Sequence, residues 1–221
     1  APEFVTGDGY NFAKKAGAVF SNMDYLPAYA GGVPVSDTGF AHSVTARNTA
    51  YPSTIWVNTN GERTMNEFEN LDSEKKAFWG TTDHNLVYVL LTQEMRDTQI
   101  PLFTVNSKED ENWARFDEEV TKGEVVFKAD TIEELAALIG VPADKLTATV
   151  NAYNDGITNG NDPFGRTDER LSFAKGPFYA VKTCPYVMLT KGGPLMNDQA
   201  QVLNAEGQPI PGLFQCGELE G

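Results

Sequence analysis

Two glycine-rich segments at opposite ends of the chain carry residues whose types and spacing suit cofactor chemistry. The first, Thr6-Gly7-Asp8-Gly9, precedes a helical pattern, and a helix N-terminus preceded by glycines can receive a phosphate or another polar cofactor group. Asp8 at that position would instead accept hydrogen bonds, for example from ribose hydroxyls. A plain capped helix after a turn explains the same residues, so this motif alone leaves both interpretations open.

The second glycine-rich segment is Lys191-Gly192-Gly193, near the other end of the chain. Glycine lets a backbone approach another group closely, which a side chain would prevent. A short strand, a tight turn at Asn204 to Gly207 and a Pro-Gly corner follow, and a last strand runs into Gly217-Glu218. We predict that the two ends of the chain meet and that the middle is a lid inserted between them.

Composition narrows the class of partner. A chain of 221 residues with 41% hydrophobic residues is long enough to bury a core. The net charge of −14 argues against nucleic acid or an anionic membrane surface, because both require a basic footprint. No apolar run approaches the roughly 18 residues needed to cross a bilayer. Cys184 and Cys216 have neither metal-ligand nor redox spacing, and we interpret them as buried free thiols.

Short elements must position the two glycine-rich segments. Apolar spacing between Phe12 and Ala16 predicts a helix that Gly17 closes. Ile55–Asn58 is typical of a short strand. The turn that follows contains Asn-Gly, which favours a hairpin. Arg63 and Glu67 then lie four residues apart at a predicted helix start, a spacing that allows an ion pair.

The clearest local pattern lies between Asp130 and Gly140. It has an N-cap, acidic residues in the first turn, apolar spacing and a C-terminal glycine, which together predict a helix. A second helix starts near Pro142 and buries Leu146, Val150 and Tyr153, so that the pair forms an αα-hairpin. The remaining assignments are strands at residues 85–91, 122–128 and 176–182, a polar surface segment at 105–124 and a loop at 154–170.

An ordered series of motifs resembles the fumarate reductase/succinate dehydrogenase flavoprotein family. The resemblance is to its soluble branch, which includes flavocytochrome c fumarate reductases, urocanate reductases and 3-ketosteroid dehydrogenases, and it spans nearly the whole chain. The motifs are Thr6-Gly7-Asp8-Gly9, the segment from Ile55 to Glu67, Thr131 to Ala136, Thr149 to Asn154 with Phe164-Gly165-Arg166, Gly176 to Ala180, Gly192-Gly193, and Ile210 to Phe214 with Gly217-Glu218.

This resemblance implies an α+β chain in which a capping domain interrupts a Rossmann-like FAD domain and closes over the flavin. Residues 1–22 would leave the FAD domain, residues 23–185 would form the cap, and residues 186–221 would return to the FAD domain. The family's dinucleotide fingerprint and the Arg segment expected after Gly221 are not in the sequence. We therefore expect a fragment that binds FAD weakly or not at all by itself.

The resemblance also implies which residues contact the FAD. Asp8 would contact the ribose side, Glu218 another polar group, and the Lys191-Gly192-Gly193 backbone would pass near the flavin ring. A solvated acid after a strand remains the alternative for Glu218. The complete expected cofactor-binding set is Thr6, Gly7, Asp8, Gly9, Leu189, Gly192, Gly193 and Glu218.

The sequence departs from fumarate reductases at the positions that would handle the substrate. Leu71 stands where those enzymes place a proton-donating Arg, Leu189 where a His holds the substrate carboxylate, and Tyr29 near a second family His. Charged Arg and His contacts to a carboxylate are strong and directional. Their replacement argues against fumarate as the substrate.

The chemistry that the resemblance still implies is hydride transfer at flavin N5 with a proton transfer to or from carbon. Candidates for the acid or base are Tyr29, Tyr51 and Lys191, and Arg47 and Thr190 are candidates for substrate binding. The alternative for the two tyrosines is a packing role, and the alternative for Lys191 is a cation on a surface loop.

Two functions of different classes remain open. The first is an FAD-dependent oxidoreductase that reduces or desaturates a C=C bond beside a carbonyl or carboxylate. The second is a non-catalytic capping or binding fragment of such a flavoprotein. The expected partners are a small organic substrate and an electron-donor protein or domain. Neither nucleic acid nor direct membrane insertion is expected, and no metal site is predicted.

Overall fold

The computed structural model describes residues 6–25, 28–34, 42–44, 53–68, 86–98, 103–105, 108–109, 113–187 and 191–217. The chain divides into two compact units. Unit 1 comprises Ala1–Tyr29 and Val187–Gly221, and unit 2 comprises Ala30–Tyr186. The assignment of unit 1 to an FAD domain remains a prediction, and so does the assignment of unit 2 to its cap.

The described residues form a mixture of helices and strands. In chain order they are α1 (Asp8–Lys15), β1 (Phe20–Ser21), β2 (Ala28–Val33), β3 (His42–Val44), β4 (Ile55–Asn58), β5 (Val87–Thr92), α2 (Gln93–Thr98), β6 (Phe103–Val105), β7 (Lys108–Glu109), α3 (Ala114–Lys122), β8 (Val126–Ala129), α4 (Ile132–Ile139), α5 (Ala143–Asn159), β9 (Phe178–Val187), β10 (Gly193–Pro194), β11 (Gln201–Leu203) and β12 (Pro209–Phe214). No helix within these described ranges is long and apolar enough to cross a membrane.

In unit 1 the two ends of the chain pair with each other. Strand β1 runs antiparallel to β10, with Ser21 opposite Gly193, and the amide of Val19 donates to the carbonyl of Leu203 at 3.0 Å. Strands β11 and β12 form an antiparallel hairpin that closes at Asn204–Gly207. The predicted meeting of the two ends and the predicted turn are confirmed.

The main sheet has the strand order β4-β5-β9-β2-β3-β6-β7, and β8 pairs with β9 as well. Strands β5 and β9 are antiparallel from Val87 opposite Thr183 to Thr92 opposite Phe178. Every residue of β5 is buried, because apolar side chains cover both faces of this strand. The core of unit 2 therefore lies around the β4-β5-β9 part of the sheet.

The predicted αα-hairpin is confirmed. Thr131 caps α4 in a capping box with Glu134, and Gly140 ends the helix in the left-handed region. Helix α5 follows Pro142 and buries Leu146, Val150 and Tyr153. The buried face of α4 packs against β8 and α5, which joins the pair to the core of unit 2.

Three local predictions are wrong. Within the described stretch 53–68 no helix follows Arg63, because its backbone bridges to Val57 and extends the β-hairpin. Lys122 ends helix α3 and does not begin a strand, and Gly123 reverses the chain in the left-handed region. The predicted loop from residue 154 starts only after Asn159, because α5 continues to that residue.

Burial also differs from the prediction at two places. Helix α3 lies in the segment predicted to be surface, yet Phe116 and Glu119 are buried there because one face of the helix packs on the core. Both cysteines are free, but Cys216 is exposed and Cys184 is half-buried. Burial raises the pKa of the Cys184 thiol, and the charge of Lys182 only partly opposes it.

Candidate functional site

The first glycine-rich segment forms the start of α1. Gly7 is the N-cap, at φ 74° and ψ 22°, and its carbonyl accepts the amide of Asn11 at 3.2 Å. No side chain caps this helix, and the exposed Asp8 is its first residue. A carboxylate in the first turn complements the positive end of the helix dipole. Asp8 therefore has a structural role whether or not a cofactor binds there.

A tyrosine connects the two glycine-rich segments directly. The hydroxyl of Tyr10 in α1 donates to the carbonyl oxygen of Gly192, and the Tyr10 ring stacks on Phe20 with centroids 6.1 Å apart. Unit 1 thus brings the Gly7–Gly9 turn and the Gly192-Gly193 segment into one site.

The lack of a side chain at Gly192 has a cause within the protein itself. A Cβ added there would meet the carbonyl oxygen of Asn22 at 2.6 Å and the Cα of Met23 at 2.8 Å. Backbone atoms at such distances cannot be accommodated without a shift of the chain. Close approach of the strand exit at Asn22 therefore requires glycine, and approach of a flavin to this backbone stays a prediction.

Two buried polar atoms beside β10 have no hydrogen-bond partner within the described parts of the chain. They are the Oγ of Ser21, which lies opposite Gly193, and the Oε1 of Gln215. The Nε2 of the same Gln215 donates to the carbonyl of Pro194. Unpaired buried polar atoms are rare in folded proteins. Both atoms are enclosed by the chain's own atoms, so a cofactor could contact them only after the surrounding residues move.

Unit 2 contains a closed ring of six buried charges. Arginines and carboxylates alternate around it, and each of the six side chains is at most 7% exposed. The N–O distances around the ring are 2.7 Å for Arg63–Glu67, 2.9 Å for Glu67–Arg166, 2.8 Å for Arg166–Asp168, 3.5 Å for Asp168–Arg170, 3.1 Å for Arg170–Asp162 and 2.9 Å for Asp162–Arg63.

These six side chains, which we call the charge ring, surround Tyr153 of helix α5. All three guanidinium groups lie over the Tyr153 ring, at 5.1 to 5.7 Å from its centroid. The Tyr153 hydroxyl donates to the carbonyls of Ser53 at 2.9 Å and Leu171 at 3.1 Å. Burial raises the pKa of Tyr153, with the charges of Arg166 and Arg170 acting in the opposite direction. This tyrosine therefore stays neutral and structural.

The charges of the charge ring compensate one another. Each arginine faces two carboxylates, and each carboxylate faces two arginines. An arginine that already pairs with two buried carboxylates has little capacity to bind an anionic ligand. We therefore assign the charge ring to the stability of unit 2, and the predicted Arg63–Glu67 ion pair is confirmed as one of its links.

Asp162 makes the stability of unit 2 depend on pH. Burial alone raises the pKa of this carboxyl group, but hydrogen bonds from Arg63 and the Phe164 amide and the charge of Arg63 outweigh it, so the net pKa is lowered. A carboxyl group with a lowered folded-state pKa stabilises the protein above its unfolded-state pKa of about 3.9, and that contribution is lost as the pH falls through the folded-state value.

We therefore expect Asp162→Asn to destabilise the protein strongly at pH 7, with a loss that becomes smaller as the pH falls through the lowered pKa of Asp162. Urea denaturation of both proteins between pH 2.5 and 7 measures the difference. Asp155→Asn, on the exposed side of the same helix α5, is the control and should cost little at any pH. A destabilisation by Asp162→Asn that does not vary with pH would contradict this assignment.

The structure describes only some of the residues predicted from the sequence to form the site. Thr6, Gly7, Asp8, Gly9, Gly192 and Gly193 lie together in unit 1, and Lys191 is exposed beside them. Tyr29 lies in β2, where only the backbone is described. Arg47, Tyr51, Leu189, Thr190 and Glu218 lie outside the described residues, as does Leu71.

Sequence reasoning missed two sets of residues. Gln215 was not singled out, although a long polar side chain directly after the apolar strand β12 is a usable signal. The charge-ring members Asp162, Asp168 and Arg170 were also missed, and Arg166 was quoted only as part of a motif. Their signal is the density of Arg and Asp between residues 162 and 170, downstream of the Arg63–Glu67 pair.

Comparison with known proteins gives one family and several relatives. A family model described as FAD binding domain matches residues 1–221. The chain is 31% identical over 218 residues to NADH:acrylate oxidoreductase of Vibrio harveyi, covering 98% of this chain and 20% of that protein. It is 32% identical over 219 residues to urocanate reductase of Eggerthella lenta, covering 98% of this chain and 34% of that protein.

A solved structure agrees over the same span. The open conformation of a flavocytochrome c3 fumarate reductase superposes with a TM-score of 0.69 at 29% identity, covering 98% of this chain and 35% of that chain. The chain thus spans between about a fifth and about a third of the length of these matched proteins.

Proposed function

The chain belongs to the FAD binding domain family, and on that premise we propose that the protein is an FAD-dependent oxidoreductase acting on a C=C bond. This membership and the named relatives confirm the resemblance drawn from the motifs. In the proposed reaction the C=C bond lies beside a carbonyl or carboxylate, and it is either reduced to a single bond or, in the reverse direction, formed by desaturation. FAD, when bound, supplies hydride chemistry at flavin N5.

The names of the relatives carry this proposal. Acrylate and urocanate, in the names of two relatives, each hold a C=C bond conjugated to a carboxylate. Conjugation lets a hydride add at the far carbon while the near carbon takes a proton, so one positioned acid is required. In the reverse direction the same residue would act as the base. The relatives' names support this reaction class, but they differ in substrate and so do not indicate one substrate.

The proposed substrate is not fumarate. Leu71 and Leu189 stand where fumarate reductases place an Arg and a His, so two contacts to a dicarboxylate would be missing. For the proton transfer we propose Tyr29, Tyr51 or Lys191, and for substrate binding Arg47 and Thr190. Binding of FAD itself we assign to the Gly7–Gly9 and Gly192-Gly193 segments of unit 1, together with Leu189 and Glu218.

A substrate screen of the full-length protein tests this function. The protein would be supplied with a reduced viologen dye and a panel of enoates and enones, and dye oxidation would be followed for each compound. We expect turnover with a conjugated monocarboxylate or enone and little with fumarate. Full-length protein that binds FAD but oxidises the dye with no member of the panel would favour a non-catalytic capping or binding module.

Two substitutions test the proposed acids. We expect Tyr29→Phe or Lys191→Ala, whichever removes the proton donor, to lower kcat about a hundredfold or more, in the usual range for general acid catalysis. Tyr25→Phe and Lys15→Ala replace exposed residues of the same types in unit 1 and serve as controls. Unchanged turnover in both test variants would eliminate Tyr29 and Lys191 and leave Tyr51.

A further inference from the structure

Unit 2 has a cavity of about 280 Å³ beside helix α5. Three of its lining residues, Lys145, Ala148 and Ala152, follow one another at helical spacing on one face of α5. The Pro163-Phe164 segment lines the cavity as well, and so does Glu62 from the turn after β4. Lys145, Ala148 and Pro163 are exposed, so a ligand can enter from solvent. The volume lies near the lower limit of small-molecule sites and suits a ligand about the size of one amino acid.

The elements around the cavity are fixed by contacts of their own. The hydroxyl of Thr149 donates to the carbonyl of Gly61 at 2.7 Å, which joins α5 to the turn after β4. The amide of Phe164 donates to Oδ1 of Asp162 at 2.9 Å, and the Arg63 guanidinium lies 4.9 Å from the centroid of the Phe164 ring. The cavity is therefore preformed, which lowers the ordering cost of binding a ligand.

Two lining side chains of opposite charge are available to a ligand. The Nζ of Lys145 lies 3.2 Å from Oε1 of Glu62, and the two side chains are 56% and 45% exposed. A half-exposed pair of this kind contributes little to stability, so a ligand can exchange with it at low cost. The other polar lining residues among the described ones are already engaged. Arg63 pairs with two carboxylates of the charge ring, and Thr149 donates to a backbone carbonyl.

These two charges determine which kind of ligand the cavity fits. An anion on Lys145 would leave the Glu62 carboxylate uncompensated beside it, and a cation on Glu62 would leave Lys145 uncompensated. A zwitterion pairs with both, because its carboxylate meets the lysine and its ammonium group meets the glutamate. An α-amino acid carries both groups on one carbon, which matches two partners whose charged atoms lie 3.2 Å apart.

The rest of the lining is apolar and indicates the side chain of that amino acid. It consists of Ala148, Ala152, Pro163 and the ring of Phe164. An apolar side chain gains from burial against such a surface. An aromatic side chain gains further, because two rings attract each other in stacked or edge-to-face arrangements.

We infer that this cavity is a binding site for a free α-amino acid with an aromatic side chain. The inference goes beyond the proposed function and does not depend on it, since none of the lining residues is assigned to FAD or to the substrate. The bound amino acid would contact α5, the turn after β4 and the Pro163-Phe164 segment together. Its binding would therefore stabilise unit 2 by mass action.

Isothermal titration of the full-length protein with L-phenylalanine tests the inference. We expect saturable binding with a Kd of about 1 mM or lower. 3-Phenylpropionate lacks the ammonium group and 2-phenylethylamine lacks the carboxylate, and each should bind about tenfold or more weakly than phenylalanine. Equal or tighter binding of either analogue would overturn the inference, and so would wild-type protein that does not bind phenylalanine. Neither result bears on the proposed function, which dye oxidation tests separately.

Two variants determine whether phenylalanine binds in this cavity. Ala148→Leu fills the cavity, and Lys145→Met removes the partner of the carboxylate, so each should weaken binding about tenfold or more. Both positions are exposed, which makes a folding defect avoidable. Ala143→Leu makes the first substitution at an exposed position of α5 outside the cavity and should bind as wild type does. Wild-type affinity in Ala148→Leu or in Lys145→Met would overturn the inference.

Discussion

Glu67→Gln is expected to lower the free energy of unfolding of unit 2 by about 3–5 kcal/mol, the usual cost of removing one partner from a buried ion pair. Glu67 accepts Nε and Nη2 of Arg63 at 2.8 and 2.7 Å, Nη1 of Arg166 at 2.9 Å and the Trp56 amide at 3.2 Å. Glutamine has nearly the same shape, but its amide group would face guanidinium donors. The buried guanidinium groups of Arg63 and Arg166 would then each lose one of their two carboxylate partners.

The matched control is Glu62→Gln, five residues earlier. Glu62 pairs with Lys145 at 3.2 Å, but both side chains are about half exposed, and such pairs contribute about 0–1 kcal/mol. Urea denaturation of wild type and both variants at pH 7 measures the two effects. If both variants lose the same small amount, the charge ring contributes no more than a surface ion pair and our assignment is wrong.

The parts of the fold that could be predicted are those that depend on residues close together in the sequence. The α4–α5 pair was predictable because the capping box at Thr131 and Glu134, the stop at Gly140 and the apolar spacing lie within one local stretch. The Arg63–Glu67 pair was predictable for the same reason, since its spacing is four residues. The helix predicted to begin at Arg63 does not form, because the pairing of Arg63 with Val57 overrides the local helix preference.

The complete charge ring could not be predicted because two of its six links join distant residues. Arg63 meets Asp162 and Glu67 meets Arg166, each across 99 positions. No local pattern indicates which of many carboxylates an arginine will face. The same holds for Gln215, whose partner Pro194 lies 21 positions away. Non-local pairing determines these contacts, and only the folded chain places them.

Gly192 was correctly predicted to need glycine, but the predicted reason for it was incomplete. The sequence predicted a close backbone approach at this glycine, and the structure has one, but the approaching group is Asn22 of the same unit. Glycine here is needed for the pairing of β1 with β10, which joins the two ends of the chain. A cofactor that lies against this strand would therefore depend on Gly192 indirectly, through the position of the strand.

Gly156→Ala is expected to reverse the usual sign of a glycine substitution in a helix. In an exposed helix interior, alanine in place of glycine stabilises by roughly 1 kcal/mol. Gly156 lies buried within α5, and a Cβ there would meet the Cα of Asp162 at 2.8 Å and its Cβ at 3.0 Å. The methyl group must therefore displace Asp162, a member of the charge ring.

We expect the variant to lose about 1–3 kcal/mol by overpacking alone, and more if Asp162 leaves Arg63 and Arg170. Asn151→Ala on the exposed face of α5 is the control, and it should be neutral or slightly stabilising because alanine has the higher helix propensity. Urea denaturation at pH 7 compares the two. A stabilised Gly156→Ala protein would mean that the chain around Asp162 yields without cost, and the charge ring would then not depend on its close packing against α5.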